Sequence, residues 1–151
     1  MKLEVGMKAP DFTLTDNRGD KVSLSDLRGS KVLLSWHPLA WTSVCTDQMR
    51  ALEVNFERFK ALNTVALGLS VDSAASKKVW AAVLSIRNTR LPADFRPHGA
   101  VAREYGIFSD ESGASLRVNI IVDEQGVIRW VKVYDGLPDI EEVFRVLEAM
   151  K

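Results

Sequence analysis

The chain has 151 residues, 46% hydrophobic and 26% charged, with twenty basic residues balancing twenty acidic ones. That length fits one domain with a single substantial core. Zero net charge leaves no electrostatic footprint for nucleic acid or an anionic membrane surface, and basic pairs such as Lys77-Lys78 read as solvated helix faces.

The opening residues, MKLEVGMKAPDF, carry no apolar run long enough for a secretory leader, and no stretch reaches the ~18 apolar residues of a membrane span. A single cysteine, Cys45, precludes an internal disulfide. The expectation is therefore a soluble, cytoplasmic protein in a reducing compartment.

In chain order, Phe12-Thr13-Leu14-Thr15 and Val22-Ser23-Leu24 alternate about an Asp16-Asn17-Arg18-Gly19 turn, the pattern of an N-terminal hairpin. Ser25-Asp26-Leu27-Arg28-Gly29 reads as one helical turn stopped by glycine. Lys31-Val32-Leu33-Leu34-Ser35-Trp36 is nearly continuous and apolar, which suits a strand covered on both faces. From Thr42 the period changes: Met49, Leu52, Phe56 and Phe59 share a helical face with Cys45. Residues 64–71 form the next buried strand, and Asp72 or Ser73 caps a helix running to about Leu84.

Residues 85–98, with two prolines and three arginines, read as loop, and residues 99–105 as a short helix ended by Gly106. Residues 116–122 and 127–134 are strands joined by Asp123-Glu124-Gln125-Gly126, and residues 138–150 close the chain as an amphipathic helix. Trp41, Trp80, Phe95 and Phe108 are read mainly as core residues, and His98 as shaping the turn before the short helix. A parallel βαβ unit followed by a hairpin and helix makes an α/β protein with a mixed central sheet and helices on both faces. The thioredoxin-like fold has this arrangement, although other α/β sheets share the pattern.

The chemistry concentrates in WHPLAWTSVCTDQM, residues 36–49. Pro38 ends the incoming strand because it lacks a ladder donor, and Thr42 is a good N-cap, which places Cys45 in the first helical turn. A capping box normally carries Glu or Gln in that slot, so a thiolate there could accept the same free backbone N–H groups. A free thiol titrates near ~8.5, and a helix terminus contributes only about 0.3–1 kcal/mol against about 1.36 kcal/mol per pKa unit. Activation therefore needs a nearby cation. Arg117 is the candidate, lying in an otherwise apolar strand whose period of two puts Arg117, Asn119 and Ile121 on one face. It serves either the thiolate or an acid at a sheet edge.

Pro38, Thr42 and Cys45 reproduce the Pro-x-x-x-Thr-x-x-Cys signature of peroxiredoxins, which this sequence resembles nearly end to end. Ala9-Pro10-Asp11-Phe12-Thr13-Leu14, the segment from Val22 to Gly29 and the Val122-Asp123-x-x-Gly126 turn fit as well. Asp94-Phe95-Arg96-Pro97-His98-Gly99 and Tyr105-Gly106-Ile107-Phe108 resemble the one-cysteine, alkyl hydroperoxide reductase E-like subgroup. The resemblance implies a thioredoxin-like fold over residues 1–151 as one domain and a peroxidatic Cys45. Thr42 would orient the peroxide, Pro38 shield the thiolate and Arg117 bind and polarise both. Val44, Gln48, Trp41 and His37 are the substrate-binding candidates beside them, His37 being otherwise read as a satisfied core or interface histidine. No metal or organic cofactor is implied.

The implied partners are a hydroperoxide, an external thiol or thioredoxin- or glutaredoxin-like reductant, and a second copy of the chain in a homodimer. Five departures from the pattern stand out. Arg50 occupies the position, five residues after Cys45, where one common arrangement has a resolving cysteine. Gln48 replaces a frequent glutamate, Val118-Asn119 a Gly-Thr-like pair, and Trp36-His37 an aromatic pair, while residues 86–93 are unusually basic. The leading expectation is thus a one-cysteine thiol peroxidase. A thiol–disulfide oxidoreductase is disfavoured by the missing Cys-x-x-Cys, and a catalytically weakened peroxide sensor or binding protein is the alternative.

Overall fold

The computed structural model describes residues 3–151, so the first two residues of the stretch read for a leader lie outside it. A four-stranded sheet in the order β4 (Thr64–Leu69), β3 (Lys31–Trp36), β7 (Val118–Val122), β8 (Ile128–Val133) forms the middle of the molecule. Strands β3 and β4 run parallel, joined by helices α1 (Ser43–Val54) and α2 (Phe56–Ala61). Strands β7 and β8 add antiparallel to the other side of β3. The expected N-terminal hairpin is β1 (Thr13–Thr15) with β2 (Lys21–Ser23), followed by a 3₁₀ turn at Leu24–Leu27. Helices α3 (Ala74–Val83), α4 (Ala100–Glu104) and α5 (Ile140–Ala149) complete the frame with a small hairpin, β5 (Phe108–Ser109) and β6 (Ala114–Ser115), that the sequence reading missed.

Alternation along the strands sorts the side chains onto two faces. Val32, Leu34, Trp36, Val118, Ile120 and Val122 pack with Val22 of the hairpin and with Val101 and Ala102 of α4. Leu33 and Ile121 point the other way, into a cluster with Cys45, Met49 and Leu52 of α1, Phe59 of α2, Trp80 and Ala81 of α3, and Val143, Phe144 and Leu147 of α5. Helices therefore cover both faces, as expected, with only the short α4 on the first.

The run from Thr42 to Phe59 is two helices rather than one. Asn55 breaks it: its Nδ2 donates to Ala51 O at 2.8 Å, so an asparagine side chain competes locally with the helix ladder. Phe59 still reaches the same core as Met49. Trp80 is buried, whereas Trp41 and Phe95 are each 51% exposed and are not core residues. Residues 85–98 are irregular but tied down. The Glu53 carboxylate accepts from the backbone N–H groups of Arg87, Asn88 and Thr89, and Asn17 Oδ1 accepts from Leu91 N at 2.8 Å. Asp94 ends this segment as a distant cap, its two oxygens accepting from Val101 N and Ala102 N at 3.0 and 2.9 Å. His98 joins the same corner to Gly113 O at 2.7 Å.

Gly68 of β4 has no room for a side chain, because a Cβ there would collide with Met49 Sδ and approach Leu91 Cδ2 to 2.8 Å. Close approach of α1 to β4 fixes Met49, one turn beyond Cys45. Gly68→Ala is expected to cost about 1–3 kcal/mol, read as a lower urea midpoint at unchanged slope, with a smaller cost in a Met49→Ala background.

Candidate active site

The site lies where β3 ends and α1 begins. The chain leaves β3 through His37 and Pro38, passes Trp41 at φ 75°, and enters the helix at Thr42 in extended conformation. Thr42 holds the N-cap position, its carbonyl accepting from Thr46 N at 2.9 Å, but its hydroxyl does not cap. It donates instead to Leu39 O at 2.8 Å, bracing the loop. Among the described residues, no side chain therefore occupies the first-turn N–H groups around Val44 and Cys45. Two further bonds hold the loop against α3: Ala40 N donates to Asp72 Oδ2 at 2.8 Å, and Trp41 Nε1 donates to Ser76 Oγ at 3.0 Å.

Cys45 Sγ is buried and accepts from Arg117 Nη1 at 3.3 Å. Of the two open alternatives for Arg117, the contacts match the first: among the described residues its side-chain partners are the thiol and the Gln48 amide oxygen, and it pairs with no acid. The strand begins at Val118, two residues later than expected, and Arg117 continues its register: Tyr134 N donates to Arg117 O at 2.9 Å. Asn119 and Ile121 share its face, the side on which α1 packs.

Gln48 is the residue that aims the arginine. Arg117 Nη1 donates to Gln48 Oε1 at 2.7 Å, while Gln48 Nε2 donates to Ser35 Oγ at 2.8 Å and to Trp36 O at 3.2 Å. Trp36 O can only accept, so the amide nitrogen must face β3 and the amide oxygen must face the guanidinium. A carboxylate in this place would set one oxygen against the Trp36 carbonyl.

His37, a substrate-binding candidate, is completely buried with its ring 5.4 Å from that of Trp80. The alternative reading of a satisfied core histidine holds for its burial only, because neither ring nitrogen has a hydrogen-bond partner among the described residues. Burial, the neighbouring Lys77 charge and that of Arg117 push its pKa well below the usual value, against a backbone contact at Ser35, so the ring is neutral.

Lys77 is the main surprise. Sequence reading placed it on a solvated face with Lys78, yet it is fully buried while Lys78 is exposed. Its Nζ donates to Gly68 O at 3.1 Å and to Ser70 Oγ at 2.7 Å. Burial lowers its pKa from the ordinary 10.5 to about 7, a fall opposed by the negative charges of Asp72, Cys45 and Asp94. The signal was present in the helical period: Lys77 stands three residues before Trp80 and four before Ala81, on the core face of α3. Among the described residues, no group of three His, Cys, Asp or Glu side chains could hold a metal ion, and no helix is long and apolar enough to cross a membrane.

A thiol at a helix N-terminus under an arginine, on a mixed sheet of this order, has close counterparts in known proteins. The AhpC/TSA family pattern matches residues 5–131, and the chain belongs to that family, the peroxiredoxins, whose enzymes are peroxidases. It is 38% identical over 132 residues to alkyl hydroperoxide reductase E of Mycobacterium tuberculosis, covering 87% of this chain and 86% of the relative. It is also 35% identical over 161 residues to a peroxiredoxin of Thermoplasma volcanium, covering 100% of this chain and 76% of that one. Among solved structures, Enterococcus faecalis AhpC superposes with a TM-score of 0.89 at 26% identity, covering 99% of this chain and 93% of that one. The thioredoxin-like fold expected from the sequence is the fold observed.

Gln48→Glu would add a negative charge beside Arg117 and lose the bond to Trp36 O. The expected result is a higher midpoint for Cys45 deprotonation, followed by thiolate ultraviolet absorbance, and slower alkylation of Cys45 by iodoacetamide near neutral pH.

Proposed function

We propose that the chain is a one-cysteine peroxidase that reduces hydrogen peroxide and organic hydroperoxides and is recycled by an external thiol. The 3.3 Å contact between Arg117 Nη1 and Cys45 Sγ carries this reading, because it puts a fixed cation on the one thiol of the chain. The Cys45 thiolate attacks one peroxide oxygen, a sulfur–oxygen bond forms and the oxygen–oxygen bond breaks. Sulfur is oxidised by two electrons to sulfenic acid, and the departing oxygen takes a proton from solvent to leave as water or an alcohol. Arg117 and the uncapped N–H groups near Val44 and Cys45 stabilise the charge that gathers on that oxygen.

Cys45 is buried whereas Thr42 is exposed and Arg117 half-buried, so the peroxide approaches between the Pro38–Thr42 loop and the arginine. Pro38 shields the sulfur on this route and Thr42 orients the peroxide. Val44 serves through its backbone, Gln48 through the arginine it holds, and His37 only through packing.

With Cys45 the single cysteine, the sulfenic acid condenses with an external thiol, releasing water and forming a mixed disulfide. A second thiol, free or on a thioredoxin- or glutaredoxin-like protein, then releases Cys45 and becomes half of a new disulfide. A homodimer is part of this proposal. Trp41 reaches Ser76 of α3, and Phe95 lies beside Ala74 at the same helix end, so a second copy covers both exposed rings together.

Stopped-flow oxidation of the reduced protein, followed through tryptophan fluorescence, tests the reaction. Rates far above a free thiol's are expected, abolished in Cys45→Ser and lowered roughly 10²-fold in Arg117→Ala. Mass spectrometry is expected to find Cys45 as a mixed disulfide when a small thiol is the reductant. Oxidation once per chain without turnover, whatever the thiol supplied, would favour the peroxide-sensor reading.

A further inference from the structure

Lys77 is a buried ionisable group that the reaction above does not use. It sits behind the site, on the core face of α3, at the end of β4. From its Nζ a continuous chain of hydrogen bonds runs to the active-site loop. Nζ donates to Ser70 Oγ at 2.7 Å, Ser70 Oγ donates to Asp72 Oδ2 at 2.6 Å, and the same Oδ2 accepts from Ala40 N at 2.8 Å. Ala40 lies between Pro38 and Thr42, the two loop residues assigned to shield the sulfur and orient the peroxide. The second Nζ bond, to Gly68 O at 3.1 Å, anchors the amine to the glycine against which Met49 of α1 packs.

We propose that Lys77 is a positioning residue for Cys45, its ammonium supplying a second positive charge behind the thiolate and bracing, through Ser70 and Asp72, the loop that carries Pro38 and Thr42. This rests on the peroxidase reading. The groups facing the amine from the elements around it are Cys45 of α1, His37 at the end of β3, Asp72 in the turn before α3 and Asp94 at the end of the 85–98 segment. Arg117 adds its charge to the same cluster, through its contact with Cys45 and its influence on His37. His37 is neutral, so Lys77 and Arg117 are the two cations of the cluster and Cys45 lies in the field of both.

The pH sign follows from the amine. Lys77 is charged below its midpoint of about 7 and loses that charge above it, with the thiolate holding the midpoint up. Its advantage to Cys45 is therefore largest on the acid side and vanishes on the alkaline side. A residue that merely filled space would change the rate by the same factor at every pH.

The test compares native protein, Lys77→Met and Ser70→Ala over a pH series. The readouts are the Cys45 thiolate titration by ultraviolet absorbance and the rate of oxidation by hydrogen peroxide. Circular dichroism establishes that each variant is folded. Lys77→Met is expected to raise the thiol midpoint and slow oxidation roughly tenfold on the acid side, at about pH 6, with the native rate approached by about pH 9. Ser70→Ala keeps the charge but removes one of its two hydrogen bonds, and should move the pH at which the native advantage disappears downward. An unchanged thiol midpoint in folded Lys77→Met, or a rate ratio independent of pH, would overturn the assignment. If native protein oxidises no faster than a free thiol while Lys77→Met still shifts the midpoint, the peroxidase reading fails and the electrostatic role of Lys77 stands.

Discussion

One guanidinium nitrogen is shared between a sulfur and an amide oxygen, and the arrangement of the site follows from that sharing. Arg117 Nη1 donates to Cys45 Sγ and to Gln48 Oε1 at once. A long flexible side chain at the end of a strand would ordinarily sample many rotamers, and ordering it costs up to about 2 kcal/mol. Here Gln48 supplies the restraint. It stands one helical turn after Cys45, so the thiol and the amide oxygen point to the same side of α1. Its nitrogen is in turn locked to Ser35 and the Trp36 carbonyl, so the arginine's aim is inherited from β3. A neutral amide does this without placing an acid next to the cation, which leaves the full charge of Arg117 to the thiol.

The polar layer widens from that point. Ser35 and Asn119 are paired across β3 and β7 and face α1, His37 follows at the strand end, and Ser70 and Lys77 continue the layer past β4. Such a layer within an apolar core is costly unless its members are bonded. Most are, but both nitrogens of His37 and Asn119 Oδ1 are not, among the described residues. The strand ends that break the apolar pattern are thus where the functional groups collect, while the central rows of the same strands remain Val, Leu and Ile.

Much of this was legible in advance. The proline, threonine and cysteine spacing located the thiol, and the two-residue period put Arg117 on a definite face. Hydrophobic periodicity also placed the sheet strands and the larger helices to within a few residues. What escaped were contacts that depend on the third dimension. Thr42 looks like a cap, and its hydroxyl is spent on Leu39 O instead, because the turn at Trp41 brings that carbonyl within reach. Asp94 caps α4 from outside the helix, through a loop whose path no local pattern specifies. Lys77-Lys78 looks like an exposed pair, since lysine is rarely buried, and only the partners at the end of β4 make the exception affordable.

That exception has a thermodynamic direction. Because the folded midpoint of Lys77 lies below that of a free lysine, the unfolded chain holds the proton more tightly. The charged amine therefore destabilises the fold fully below about pH 7, and the penalty fades as pH rises toward 10.5. An apolar side chain of similar length would avoid it, as replacements of buried charges often do. Arg117, half-buried and satisfied by two acceptors, carries no comparable burden. Two cations near one thiol are thus held by different means, one at the surface by geometry and one in the core at the expense of stability. A core that carries an avoidable charge behind its single thiol is organised around the chemistry of that thiol rather than around the stability of the fold.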